Sequence, residues 1–349
     1  MNRDASITSL SALASKLTLS EEEKGFDESD GTLLPIKIPS SFFKLINPDD
    51  PSDPIRRQVV PTVFEHAESG GETLDPLAEK RHAATARLIH RYPNRAAFLT
   101  TDLCFIHCRH CFRRRFTGTF QGPANEEEIE QAARYVEKHP EITELLFTGG
   151  DLFTLNDVQL ETMIGAFRSR RPDLIIRLCS RAPAARAERI TPALIAMLKT
   201  FDTAPFFLMT QFNHVRELTK EALRATALFI DNGIPAMNQT VLLKGVNDDA
   251  DTLKELCNTL LANRIKPYYL FQGDLVSGTA HLRVSIEDGM KLEAELRKRL
   301  SGLAMPLYAL DLPEGGGKVP LVNSYVEEKK DGALIFRTPY GGHRSYPAD

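Results

Sequence analysis

The 349-residue chain is poor in cysteine, with five, and carries no excess of positive charge. Its 43 Lys and Arg stand against 47 Asp and Glu, for a formal charge of −4. Such a balance supplies no basic field to drive association with nucleic acid. No apolar run approaches the ~20 residues needed to cross a bilayer. The opening residues, MNRDASITSL, lack the apolar stretch of a secretory signal. Neither a membrane nor export is therefore expected, and the sequence reads as cytoplasmic. Five cysteines in so long a chain cannot build a disulfide scaffold. Apolar residues make up 42%, enough for a sizeable core, which excludes global disorder. The cysteines are unevenly spread, and three of them, Cys104, Cys108 and Cys111, share one short window.

Residues 1–94 read as an irregular, partly helical extension. Prolines at 35, 39, 48, 51, 54 and 61 argue against a regular sheet there. The stretch Asp75–Arg91 has a helix-friendly composition. From Arg95 onward, short apolar runs alternate with amphipathic stretches. The runs are Ala96–Leu103, Leu145–Thr148, Leu174–Cys179, Pro205–Phe212, Pro235–Leu243 and Pro267–Gln272. Their β-branched and aromatic content marks them as buried strands. Between them, Asn125 and Glu128 form a capping box, and Leu253, Leu256, Cys257, Leu260 and Leu261 keep a helical stripe. This alternation predicts right-handed crossovers and a parallel sheet. Six strands suit a partial (β/α)6 barrel of α/β class over residues 95–300, followed by a C-terminal segment, 301–349. In such folds chemistry sits at the C-terminal strand ends. Those ends carry the Cys104 loop, Gly149-Gly150-Asp151, Ser180-Arg181, Gln211, Gln239 and Asp274.

The run Cys104-Phe-Ile-His-Cys108-Arg-His-Cys111 has CxxxCxxC spacing. Three thiolates on one loop can hold three irons of a [4Fe–4S] cube and leave the fourth iron open to a ligand. A structural zinc with His107 or His110 as fourth ligand is the rival reading, but there is no second knuckle to pair with. Three simple packing cysteines are a poor account of so dense a loop. Gly149-Gly150-Asp151 alone is more often a turn. Placed at the end of the second strand after a CxxxCxxC loop, it resembles the radical S-adenosylmethionine (SAM) superfamily. That resemblance implies that Cys104, Cys108 and Cys111 ligate the cluster. It also implies that Gly149, Gly150 and Asp151 hold the amino group of SAM.

Two further motifs narrow the family. Arg113-Arg114-Arg115 follows Cys111 directly; as a bland feature it is a solvated basic face, and beside a cluster loop it can clamp a carboxylate. Asp311-Leu-Pro-Glu-Gly315-Gly316-Gly317-Lys318 places a lysine after three glycines, without the Walker spacing for phosphate. Such a lysine can form an imine with a carbonyl cofactor. With Asn47-Pro-Asp-Asp-Pro51, Arg91-Tyr-Pro-Asn-Arg95, Phe212-Asn-His214, Asn238-Gln239, Pro267-Tyr-Tyr269 and Gly273-Asp274-Leu275, the chain from about Leu34 to Val322 resembles lysine 2,3-aminomutase.

The resemblance implies an isomerase with three cofactors: a [4Fe–4S] cluster, SAM and pyridoxal 5′-phosphate (PLP). It assigns Lys318 to the PLP imine, Arg95 to the PLP phosphate and Arg113 to the substrate α-carboxylate. Asp274 and Asp311 fall to the substrate ε-ammonium, and Gln211 and Gln239 to the SAM site, although the family has a histidine where Gln211 stands. A one-electron reductant of the flavodoxin or ferredoxin type is implied as a partner. Two retained acids favour a substrate with a cationic tail, and L-lysine above others. A relative that forms β-lysine for elongation factor P, a 2,3-aminomutase for another amino acid, and a non-catalytic metal- or nucleic-acid-binding module are the alternatives. With no cysteine after Cys257, the family's zinc-binding tail is not expected, and the state of any homo-oligomer is left open. Cys179 and Cys257 read as core residues.

Overall fold

The structure is a computed structural model and describes residues 6–67, 70–119, 121–330 and 332–348. One mixed sheet runs in strict chain order: β1 (Leu88–Tyr92), β2 (Arg95–Thr101), β3 (Glu144–Gly149), β4 (Ile175–Ser180), β5 (Phe206–Thr210), β6 (Ala236–Val241), β7 (Ile265–Phe271), β8 (Leu307–Leu312) and β9 (Gly317–Pro320). From β2 to β8 every neighbouring pair is parallel. The two edges, β1 against β2 and β9 against β8, are antiparallel. All nine strands contribute to the lining of one cavity, so the sheet curls around a common lumen. Among the described residues, β1 and β9 are the ends of the sheet order. The expected partial α/β barrel is therefore present, with one more parallel strand than the six read from the sequence.

Local chemistry explains the elements. The helix Glu126–Lys138 opens on the Asn125–Glu128 capping box, with both reciprocal bonds at 2.9 Å. The helix Ala250–Ala262 buries Leu253, Leu256, Cys257 and Leu260 and starts at Asp249, whose carboxylate caps Asp251 N and Thr252 N. Helices Asp157–Arg168, Pro192–Lys199, Lys220–Asp231 and Ile286–Arg299 complete the alternation. On the helix side of the sheet, Phe98, Phe147 and Phe167 pack with ring centroids 5.1–5.7 Å apart.

Three expectations need correction. Asp75–Arg91 is not helical. The carboxylate of Asp75 closes a turn on Glu79 N and Lys80 N, and the chain then enters β1, where Leu88 pairs with Phe98. Strand β8 falls in the segment 301–349, outside the six runs read as strands, and pairs parallel with β7. Cys179 is not a core residue. Strand side chains alternate, so Leu178 joins the helix-side core while Arg177 and Cys179 face the lumen.

The N-terminal segment builds its own apolar cluster, which includes Ile38, Phe42, Ile55 and Val59 and reaches Ile106 and Ala185 of the barrel. It grips the cysteine loop through its backbone: His107 N donates to Lys37 O (2.9 Å) and Arg109 N to Gln58 O (2.8 Å). Beneath the loop, Glu65 accepts from both Arg109 and Arg114 at 2.5 Å, all three being buried. Burial alone would raise the pKa of Glu65; the two guanidiniums overcome it and hold the carboxyl below its ordinary value. Glu65→Ala leaves two buried cations short of a partner. We expect it to lower stability by about 3–5 kcal/mol in urea melts. Beyond the barrel, β10 (Val326–Lys330), β11 (Ala333–Arg337) and β12 (His343–Pro347) form a separate antiparallel sheet. No helix among the described residues is long and apolar enough to cross a membrane.

Candidate active site

The cavity encloses about 430 Å3, within the range of small-molecule sites. Cys104, Cys108, Cys111, Gly149, Gly150, Asp151, Arg113, Gln211, Gln239, Arg95, Asp274, Asp311 and Lys318 all line it. Every residue given a cluster, cofactor or substrate role by the resemblance is thus brought to one space.

At one end lies the cysteine loop. Burial pushes the Cys104 thiol well up, and the neighbouring sulfurs of Cys111 and Cys108 push it further. Burial and Cys108 raise Cys111 likewise. Cys104 and Cys111 thus resist ionisation until positive charge arrives. Among the described residues no three His, Cys, Asp or Glu side chains converge on one point as a single ion requires. Thiolates that each take a separate corner of an iron–sulfur cube have no need to converge.

The glycines that follow β3 are dictated by contact. Gly150 N donates to Thr101 O (2.6 Å) and Asp151 N to Leu103 O (2.7 Å), stitching the ends of β2 and β3 together. A Cβ on Gly150 would stand 2.2 Å from Leu103 O, and Gly149 has φ +116°. The Asp151 carboxylate accepts from Ser180 Oγ (2.7 Å), Arg181 N (2.8 Å) and Phe153 N (3.0 Å), which ties β3 to β4. Gln211 Nε2 lies 3.2 Å from His110 Nε2.

The Arg triplet turns inward. Arg113 donates through Nε to Glu79 (2.8 Å) and through Nη1 to Thr148 Oγ1 (2.8 Å). Arg115 pairs with Glu79 (3.0 Å) and Asp75 (3.3 Å). The solvated basic face, and with it a nucleic-acid reading of the triplet, is not what the fold presents.

At the other end, Asp311 on β8 and Lys318 on β9 are cross-strand partners, and Lys318 Nζ contacts Asp311 Oδ2. The glycines form the tight connection between these strands, so Lys318 stands on a strand rather than on a swinging loop. A Cβ at Gly315, where φ is +81°, would meet His82 Nε2 at 2.3 Å. Asp311 Oδ1 also accepts from Arg91 Nη2 (2.7 Å) and Tyr92 OH (3.2 Å). Burial lowers the pKa of Lys318, against the pull of Asp311. Its Nζ sits 4.3 Å over the Phe271 ring and 5.3 Å over Tyr269. Asp274 has its pKa raised to about 7, first by burial and then by the charge of Asp311. The Arg95 guanidinium stacks 3.7 Å over Tyr92.

The chain matches the radical SAM superfamily over residues 98–257. It is 39% identical to the L-lysine 2,3-aminomutase of Clostridium subterminale, over 93% of this chain and 78% of that one. To the Bacillus subtilis L-lysine 2,3-aminomutase it is 35% identical, over 98% and 72%. This chain belongs to the lysine 2,3-aminomutase family. It is 36% identical to a glutamate 2,3-aminomutase of Clostridioides difficile, over 95% and 78%, so identity alone does not separate the substrates.

A member of this family is a radical SAM isomerase whose cofactors are a [4Fe–4S] cluster, SAM and PLP. The residues present fit them. Three thiols and the Gly149-Gly150 backbone line the same cavity, and a half-buried amine with a lowered pKa suits imine chemistry. Several cavity residues carried no assignment from the sequence: Arg91, Tyr92, Glu79, Arg177, Arg181 and Phe271. Arg91 and Tyr92 lie inside the quoted Arg91-to-Arg95 passage, but no motif marks them as partners of Asp311, 220 and 219 residues away.

Proposed function

We propose that this enzyme moves the α-amino group of L-lysine to Cβ and releases β-lysine. The observation that carries the reading is the acid pair: Asp274 and Asp311 face one cavity, beside Lys318, with a cation already seated on Asp311. When bound, the cluster and SAM supply a carbon radical that abstracts hydrogen, and PLP supplies the π-system through which nitrogen migrates.

In this reading the protein's residues bind, orient and exclude water. Cys104, Cys108 and Cys111 hold the cluster. Gly149, Gly150, Gln211 and Gln239 surround SAM, and Asp151 fixes the shape of that wall by bracing β3 to β4. Lys318 carries PLP and Arg95 receives its phosphate. Arg113 takes the substrate α-carboxylate once it releases Glu79 or Thr148. Asp274 and Asp311 take the terminal ammonium. Lys318 Nζ now contacts Asp311 Oδ2, so it must leave that oxygen before the substrate cation can take it. Electrons come from a flavodoxin- or ferredoxin-type donor in a cytoplasmic setting.

Lys318→Ala should abolish the visible PLP imine band and reduce turnover to background, while cluster absorbance stays at the native level. The deciding experiment is anaerobic incubation with SAM, PLP, reductant and L-lysine, followed by chiral analysis. β-Lysine supports the proposal, and its hand distinguishes a free-lysine enzyme from one serving elongation factor P. Turnover of glutamate but not lysine would sink the assignment of Asp274 and Asp311.

A further inference from the structure

Arg181 stands at the end of β4, buried, with its guanidinium spread over three partners. Nη1 donates to Cys108 Sγ at 2.7 Å. Nη2 donates to Gln58 Oε1 (2.6 Å) and Glu217 Oε2 (2.9 Å). The side chain is placed by the barrel and by the N-terminal segment together: its backbone N is held by Asp151, and the Phe42 ring lies 5.2 Å from its guanidinium carbon.

The charge arithmetic matters. Glu217 is fully buried and opposes the Arg181 charge, but its Oε1 is drawn on by Asn213 N (3.1 Å), His214 N (3.0 Å) and Gln58 Nε2 (3.0 Å). Those donors spread the carboxylate's negative charge away from the guanidinium. The guanidinium therefore keeps a positive face toward Cys108. Hydrogen bonds to thiolate ligands, and local charge, are established levers on iron–sulfur potentials.

We propose that Arg181 is a positioning residue that sets the reduction potential of the cluster by donating a charge-assisted hydrogen bond to the Cys108 sulfur. One-electron reduction adds one negative charge to the cluster, supplied by the flavodoxin- or ferredoxin-type donor. A cation bonded to a ligand sulfur stabilises that form and raises the potential. Gln58 links this device to the N-terminal segment, so the segment that covers the cysteine loop also holds the residue that tunes it.

The inference rests on Cys108 being a cluster ligand. The test is a redox titration, followed by electron paramagnetic resonance, of anaerobically reconstituted native protein, Arg181→Gln and Arg181→Lys, each with iron content measured. Arg181→Gln is expected to make reduction about tenfold less favourable, a fall of about 59 mV for one electron. Arg181→Lys, which keeps a buried cation but can no longer reach all three partners, should lie between the two. If the glutamine variant does not fold, the lysine variant decides alone: a lowered potential supports the proposal and an unchanged one overturns it. Native potentials in fully loaded variants would reduce Arg181 to a structural brace. Full iron loading and a native potential in Cys108→Ser would instead remove the ligand assignment itself, so the two failures are distinct.

Discussion

Replacing any one of Cys104, Cys108 or Cys111 with serine should bring turnover to the assay background and strip most of the cluster absorbance, while the thermal melt of the apoprotein barely moves. The expectation follows from where the three sulfurs lie. All three line the cavity, Cys108 also touching the edge of the N-terminal apolar cluster, and the loop that carries them is pinned by backbone bonds to Lys37 O and Gln58 O that serine leaves intact. Loss of one of three thiolates leaves an iron corner without its protein ligand. Cys257 is the opposite case. It is buried on the apolar face of its helix, and burial pushes its thiol up to about 12. Cys257→Ser puts a hydroxyl among leucines and should cost about 1–3 kcal/mol of stability, with activity per folded molecule unchanged. Iron analysis and calorimetry on the same variants separate the two groups. Cys179 belongs to neither. It faces the lumen from β4, so its replacement should act on the site rather than on the core.

The parts of this fold that were legible in the sequence were those whose pattern is local. Six parallel strands declared themselves because each is a short apolar run between amphipathic helices, and the Asn125 capping box is written within four residues. The seventh parallel strand and both antiparallel edges were hidden. An edge strand such as Leu88–Tyr92 is half exposed and carries His90 and Arg91, so its composition does not distinguish it from a loop or helix. In the site, motifs located the groups that do chemistry but not the groups that hold them. Arg113 reads as a free carboxylate clamp until the fold pairs it with Glu79. Asp151 is read from its motif as a SAM residue, but nothing local announces the bonds it accepts from Ser180 and the Arg181 amide. Arg181 was visible only as a polar residue at a strand end. Its contact with Cys108 crosses 73 positions, and no local spacing encodes that.

The acid pair should dominate both substrate choice and pH response. Asp274→Asn and Asp311→Asn are each expected to lower kcat/KM for L-lysine by roughly 100- to 1,000-fold, the cost of leaving a buried cation without one carboxylate. Both should also narrow the preference for lysine over amino acids with neutral tails. The pH profile carries the finer prediction. Asp274 is half protonated near pH 7 in the free site, because burial and then the Asp311 charge disfavour its anion. A cationic tail binds the ionised form, so log(kcat/KM) should rise with pH through about 7 and level off above it. In Asp311→Asn the neighbouring charge is gone and the limb should move to lower pH; in Asp274→Asn it should vanish. The same raised pKa bears on folding. A carboxyl that titrates at 3.8 unfolded and about 7 folded binds its proton more tightly in the native state. Its contribution to stability is present below pH 4 and is lost as pH rises through 7. The site thus holds an acid that weakens the apoprotein at the pH where it binds substrate, and a cation seated between Asp274 and Asp311 restores what is lost. Adding L-lysine should therefore raise the melting temperature more at pH 8 than at pH 6, and Asp274→Asn should erase that difference.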